Sequence, residues 1–138
     1  MVDTTIEAEK KAVEAVIRAN YRAFVTRKTD DNATFAAEDV TIWDVFEPEL
    51  IIGIEARQAF QRRDIDQSVA RGSLTFDVEI QLITLHKDIA ISRHHVNFHY
   101  KPPNPVAGRV RVTQVLRKAD SHWKLIHTHE GMMPTGVP

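Results

Sequence analysis

Seven histidines in 138 residues give the chain a dense supply of groups that titrate near neutral pH. His95, Asn97 and His99 sit two residues apart, as do His127 and His129, and in extended chain that spacing puts each set on one face. If both faces lined one concave wall, up to four imidazoles would converge. Three would suit zinc or another transition metal, and His127 is the candidate for proton transfer. The alternative is that each is a structural histidine satisfied by its neighbours. His-x-His without a known strand register is not a metal motif, so no metal is expected. Arg111 and Thr113 share a face, and Arg93 and His95 share another. An inward arginine needs a carboxylate, from Glu130, Asp44 or a ligand, whereas an outward one is solvated or meets a second subunit. Trp43 and Trp123 either wall a site for a flat apolar ligand or are plain core and interface residues. Gly53 precedes a helix without a Gly-rich fingerprint, so it is a backbone requirement and not a phosphate loop, and no cofactor is expected.

The elements that must position these residues follow from hydrophobic spacing. Thr4 and Glu7 have capping-box spacing, and Ile6, Val13, Val16, Ile17, Tyr21 and Phe24 then recur at helical steps, with Tyr21 on the apolar stripe. Thr29 to Asn32 breaks that pattern, and a short helix is predicted through Phe35 to Ala37. Val40 to Trp43 reads as a strand with Asp44 at its end, where the chain turns. Leu50 to Ile52 is a second short strand closed by Gly53, and Glu55 to Val69 another helix. From Leu74 the period becomes two: Leu74, Phe76, Val78, Ile80 and Leu82 form one apolar face. Ile89 to Tyr100, Arg109 to Lys118 and Trp123 to Glu130 complete four strands. They are separated by Lys87-Asp88, Pro102 to Pro105 and Ala119 to His122. Short separators predict an antiparallel meander. The tail from Gly131 to Pro138 is predicted to fray. Helices first and long strands last imply an α+β domain with the helices on one face of the sheet.

Bulk properties remove several function classes. The length fits one domain, 1–138. There is no cysteine, which excludes thiol catalysis and Cys-ligated zinc and fits a cytoplasmic setting. The net charge is -1 with no basic tract, so neither nucleic acid nor an anionic membrane is an expected partner. No apolar run approaches the ~20 residues of a membrane span.

Four stretches resemble one family. They are Ala36 to Asp44, with an acidic pair and then a strand; Gly53-Ile54-Glu55-Ala56; Arg111 to Lys118; and the closing Trp123-Lys124-Leu125-Ile126-His127-Thr128-His129. Their order and spacing resemble the nuclear transport factor 2-like superfamily, in its SnoaL-like and ketosteroid isomerase-like branch. The resemblance implies a cone-shaped, curved antiparallel sheet packed on about three N-terminal helices, the cystatin-like α+β roll. It also implies a pocket between them and homodimerisation through the open face of the sheet.

In ketosteroid isomerases a tyrosine of the first helix donates to the substrate oxygen, and a carboxylate at this strand end removes the proton beside the carbonyl. Tyr21 and Asp44 fall where those two groups align. The chemistry is sound, because a poorly solvated carboxylate is a stronger base and a phenol aimed at an enolate stabilises charge where it develops. The isomerase's second donor, a carboxylic acid kept protonated by its apolar site, has no match here: the corresponding stretch reads Thr113-Gln114. The reading is a small-molecule-binding domain, an acid–base isomerase, cyclase or dehydratase acting on an apolar carbonyl compound. Tyr21, Asp44 and His127 are the catalytic candidates, and Trp43, His95, His99, Arg111, Thr113, Gln114 and His129 line the site. The alternatives are a non-catalytic ligand-binding or homo-oligomeric assembly domain, and a metal-dependent enzyme built on the strand histidines.

Overall fold

The computed structural model describes residues 4–26, 32–71, 74–100 and 106–134. Helix α1 runs Thr4–Val25, a single turn α2 Asn32–Phe35, and α3 Ile54–Arg71. The strands are β1 Ala36–Trp43, β2 Ile51–Ile52, β3 Leu74–His86, β4 Ile89–Tyr100, β5 Val106–Ala119 and β6 His122–Met132. They form one curved six-stranded sheet in the order β2-β1-β6-β5-β4-β3. Strands β3 to β6 are the expected antiparallel meander. Strand β1, however, pairs parallel with β6, so the sheet is mixed. The helix α3 lies between β1 and β3 in the chain, and the return to the far edge comes through the meander, which lets β1 and β6 run the same way. The Pro102 to Pro105 separator lies outside the described residues, as do 27–31 of the first break and 135–138 of the tail.

Two boundaries differ from the sequence reading. Ala36 to Asp39 is strand, not helix end, because Ala36 pairs with Leu125 on the sheet's inner face and is buried. Gly131 and Met132 are not frayed: they continue β6 opposite Arg111 and Val110.

Alternation fixes what each strand buries. In β4, Ala90, Ser92, His94 and Val96 are buried; in β5, Val110, Val112, Gln114 and Leu116 are. A register shift between Val115 and Leu116 moves the inner set of β6 from Trp123 and Leu125 to Thr128 and Glu130. A second shift, between Ile80 and Leu82, flips β3. The single apolar face expected there is therefore broken, with Ile83 buried and Leu82 53 % exposed.

Helix α1 lays Val13 and Ile17, both fully buried, against Val40, Ile83, Ala90, Leu116, Trp123 and Leu125. Glu9 fastens the start of the helix by accepting hydrogen bonds from Trp123 Nε1 at 2.8 Å and Lys118 Nζ at 2.7 Å. Helix α3 packs on β1 and β2 through Phe60, Ile42 and Ile51. Gly53 turns β2 into α3 with φ of 91°, where a side chain would be strained. Its N–H donates to Val40 O at 2.7 Å, and its own carbonyl accepts from Arg57 N at 3.0 Å. Helix α1 thus packs over β1 and β3 to β6, α3 over β1 and β2, and an opening remains between them.

Candidate functional site

That opening is a cavity of about 630 Å³ between α1, α3 and the inner faces of β1 and β3 to β6. Apolar side chains, among them Phe24, Phe60, Phe76, Val96, Phe98 and Val112, make up most of its wall. Gly108 faces Phe98 across the β4–β5 pair, and the Phe98 ring occupies the space where a Cβ at 108 would sit. Set among these are Tyr21, Asp44, Arg57, Asp64, Gln114 and Glu130.

Tyr21 reaches the cavity from the last turns of α1. Its ring stands edge-on to Phe76 and to His94, with centroids 5.6 and 5.9 Å apart. The Tyr21 hydroxyl lies 3.1 Å from His94 Nε2, and His94 Nδ1 lies 3.1 Å from Ser92 Oγ. Both Ser92 and His94 are fully buried beneath the tyrosine. Burial, and then the charge of Glu130, push the Tyr21 phenol well above its ordinary range, so it meets a ligand in its protonated form. Burial, helped by the nearby charges of Arg18 and His95, pulls His94 down to about 4, so the imidazole is neutral at physiological pH.

Asp44 ends β1 on the inner side, one residue beyond Trp43. Its Oδ2 accepts from the backbone N–H of Phe46 at 2.9 Å and of Glu47 at 3.2 Å, a turn that fixes the carboxylate at the cavity mouth. Among the described residues Oδ1 has no partner and remains available. Glu130, opposite Val112 in register, carries a second carboxyl into the same space. Burial first, and then the charges of Asp44 and Asp64, push Glu130 up to about 8. An acid that keeps its proton at neutral pH donates a hydrogen bond instead of accepting one. Gln114, whose place in β5 lacked the expected acid, donates from Nε2 to Thr128 Oγ1 at 3.2 Å. Glu130, on the neighbouring strand β6, is half-buried on the same cavity wall as Gln114.

Arg57 of α3 is 2 % exposed and bonds through Nη2 to Asn20 Oδ1 at 2.8 Å, while Nη1 has no partner among the described residues. Burial lowers it to about 10, which leaves it cationic at neutral pH.

Of the residues singled out from sequence, Tyr21, Asp44 and Gln114 line this cavity. Trp43, His95, His99, Arg111, Thr113, His127 and His129 do not. They belong to the strand positions whose alternate neighbours face inward, and so they lie on the opposite, uncovered face of the sheet. There Thr113 pairs with His129, and Trp43 with His129 from the other side. His127 Nδ1 lies 2.7 Å from Thr41 Oγ1, and burial with the neighbouring His129 lowers its pKa. Arg109 donates to Glu79 at 2.7 Å and to His95 Nδ1 at 2.7 Å. Arg111 is exposed and, among the described residues, pairs with neither Glu130 nor Asp44. Trp123 is core, 5 % exposed. Among the described residues no group of three or more His, Asp and Glu side chains is placed to hold a metal ion.

Sequence reasoning missed Ser92, His94 and Arg57, and it weighed Glu130 only as a partner for arginine. A signal for His94 was present. In β4 the even positions read Ala90, Ser92, His94, Val96, Phe98, and the odd ones hold Arg93, His95, Asn97 and His99. The less polar parity is the inward one.

The two-layer arrangement, a curved sheet packed on α1 and α3, is shared with solved structures that include members of the nuclear transport factor 2-like class. A putative dehydratase of that family from Streptomyces avermitilis superposes with a TM-score of 0.79 at 16% identity, over 94% of this chain and 99% of that one. A putative calcium/calmodulin-dependent protein kinase type II association domain from Thiobacillus denitrificans gives 0.75 at 22%, over 88% and 94%. A nuclear transport factor 2-like protein with a cystatin-like fold from Novosphingobium aromaticivorans gives 0.79 at 11%, over 97% and 88%. At these identities the likeness establishes the fold alone. Residues 13–135 match the family described as the SnoaL-like domain, and the chain belongs to that family. No curated protein matches the chain in sequence.

Proposed function

We propose that the protein is a small acid–base enzyme acting on an apolar, carbonyl-bearing molecule bound in the cavity. The observation that carries this reading is the convergence of Asp44, Tyr21 and Glu130 on one largely apolar space of about 630 Å³. In this scheme Asp44 Oδ1 takes the proton from the carbon next to the carbonyl. The C–H electron pair moves into the adjacent bond, and charge develops on the carbonyl oxygen. The Tyr21 hydroxyl and the protonated Glu130 carboxyl are the donors for that oxygen. Returning the proton to a different carbon gives an isomerase, losing a leaving group gives a dehydratase, and attacking an internal electrophile gives a cyclase. His127 has no part in this scheme because it lies across the sheet from the cavity. Asp44 and Tyr21 keep the roles their positions suggest in sequence, and Glu130 takes that of the missing second acid.

Proton abstraction is tested without knowing the product. The protein is incubated in deuterium oxide with a panel of cyclic and aryl ketones, and loss of the α-proton signal is followed by NMR. Exchange catalysed by the wild type and reduced ~10²- to 10⁴-fold in Asp44→Asn is the expected outcome. Equal exchange in a folded Asp44→Asn variant removes Asp44 as the base.

A second reading, a non-catalytic assembly domain, is favoured by the likeness to the kinase association domain. The open cavity counts against it, since a domain serving only assembly gains by filling its core. Pairing of two copies is compatible with either reading. We place it on the uncovered sheet face, where Trp43 is 41 % and Leu82 53 % exposed and Ile91 and Val115 are half-buried.

A further inference from the structure

We infer that Ser92 fixes the tautomer of His94 and thereby turns the Tyr21 hydroxyl proton toward the cavity, so that this wall recognises a ligand oxygen with a free lone pair. The inference deepens the proposed function and rests on it only for the identity of the ligand.

The three side chains form a chain of two hydrogen bonds, Tyr21 to His94 Nε2 and His94 Nδ1 to Ser92, each 3.1 Å long. A neutral imidazole has one donor and one acceptor nitrogen, so only two arrangements exist. In the first, Nδ1–H donates to Ser92 Oγ and Nε2 accepts from Tyr21. The Ser92 proton is then left over, on a residue that is 0 % exposed and has no other side-chain partner among the described residues. In the second, Ser92 donates to Nδ1, and Nε2–H donates to the Tyr21 oxygen. The proton left over is then that of Tyr21, and Tyr21 borders the cavity, where water or ligand accepts it.

A buried orphan donor is the costly outcome, and the cavity removes it from the second arrangement alone. The usual penalty for such an orphan corresponds to a preference of roughly 5- to 150-fold for the Nε2–H tautomer. His94 stays neutral across the physiological range, so the tautomer is the only variable. One competitor stands nearby. Gln114 faces Ser92 across the β4–β5 pair, and its Oε1 has no partner among the described residues. If the Ser92 hydroxyl turned to that oxygen, Ser92 would no longer donate to His94, the imidazole would reverse, and Tyr21 would present a lone pair to the cavity in place of a proton.

Ser92 and His94 touch no ligand in this scheme and are positioning residues. The test reads the imidazole directly in the ligand-free protein. Long-range proton–nitrogen correlation spectra at neutral pH separate the two tautomers by their nitrogen shifts. The expected result is His94 with a protonated Nε2 and a bare Nδ1. In Ser92→Ala the Nδ1 lone pair loses its donor, and the Nδ1 signal moves further toward the value of a bare, unbonded nitrogen. A protonated Nδ1 in the wild type overturns the inference. Unchanged His94 shifts in Ser92→Ala also overturn it. If Ser92→Ala does not fold, the wild-type spectrum decides alone. Neither measurement depends on turnover, so the exchange assay on Asp44 can fail while this result stands, and the reverse.

Discussion

Glu130 makes the electrostatics of the cavity measurable through stability. Its carboxyl is pushed from 4.5 up to about 8 in the folded protein, chiefly by burial. Between those two values the folded state holds a proton that the unfolded state has lost, so stability falls as pH rises through the interval. Below the lower value both states are protonated and there is no penalty, and above the upper one the penalty is complete. At ~1.36 kcal/mol per unit the full gap corresponds to about 5 kcal/mol. The carboxyl borders a cavity large enough to admit water, which screens the ionised form, so about 2–4 kcal/mol is the expected range. Glu130→Gln keeps the shape and cannot ionise. Urea denaturation of both proteins at about pH 5, 7 and 9 gives the difference in which titrating groups not coupled to Glu130 cancel. The wild type is expected to lose stability relative to Glu130→Gln across that series. Parallel curves would show that Glu130 is ionised throughout, and the donor role given to it would be wrong.

His94 titrates with the opposite consequence. Its folded value is depressed from 6.5 to about 4, so the unfolded state binds the proton first and stability is lost as pH falls through that window, by about 3 kcal/mol. In His94→Gln this acid-side loss is expected to be smaller by most of that amount once the denaturation series is extended down to about pH 4, and an unchanged acid limb would place a charged imidazole in the folded core. Analytical ultracentrifugation addresses pairing: a dimer in the wild type that dissociates in Trp43→Glu is expected, and a dimer unaffected by that charge would move the interface off the uncovered face.

The fold was legible because its signal is redundant. Val13, Ile17, Tyr21 and Phe24 repeat the helical period over several turns, and β4 and β5 repeat a period of two for a dozen residues each, so a single exception does no harm. The boundaries were less legible where a local rule met a tertiary one. Ala36 and Ala37 suit a helix, but pairing with β6 makes Ala36 part of a strand. The exposed Leu82 looked like core because a bulge, which moves every later side chain to the other face, leaves no mark on the pattern before it.

The site was harder to read for the same reason, sharpened by chemistry. His94 and His95 are adjacent and chemically identical, and only one unit of register decides which is buried under Tyr21 and which meets Arg109 in solvent. The shift between Val115 and Leu116 acts in the same way on β6. It puts Thr128 and Glu130 inside and His127 and His129 outside, although Trp123 and Leu125, earlier on the strand, are inside at odd numbers. A motif read as Trp-x-hydrophobic-x-His-x-His therefore points its tryptophan at the core and its histidines away from it. The consequence for function is specific. Moving the histidines out leaves the cavity with carboxyls, one phenol and the Arg57 guanidinium, and with one buried imidazole beneath the phenol that stays neutral at physiological pH. Under the proposed function, removal of the proton from carbon falls to Asp44, and donation to the oxygen that develops charge falls to Tyr21 and Glu130.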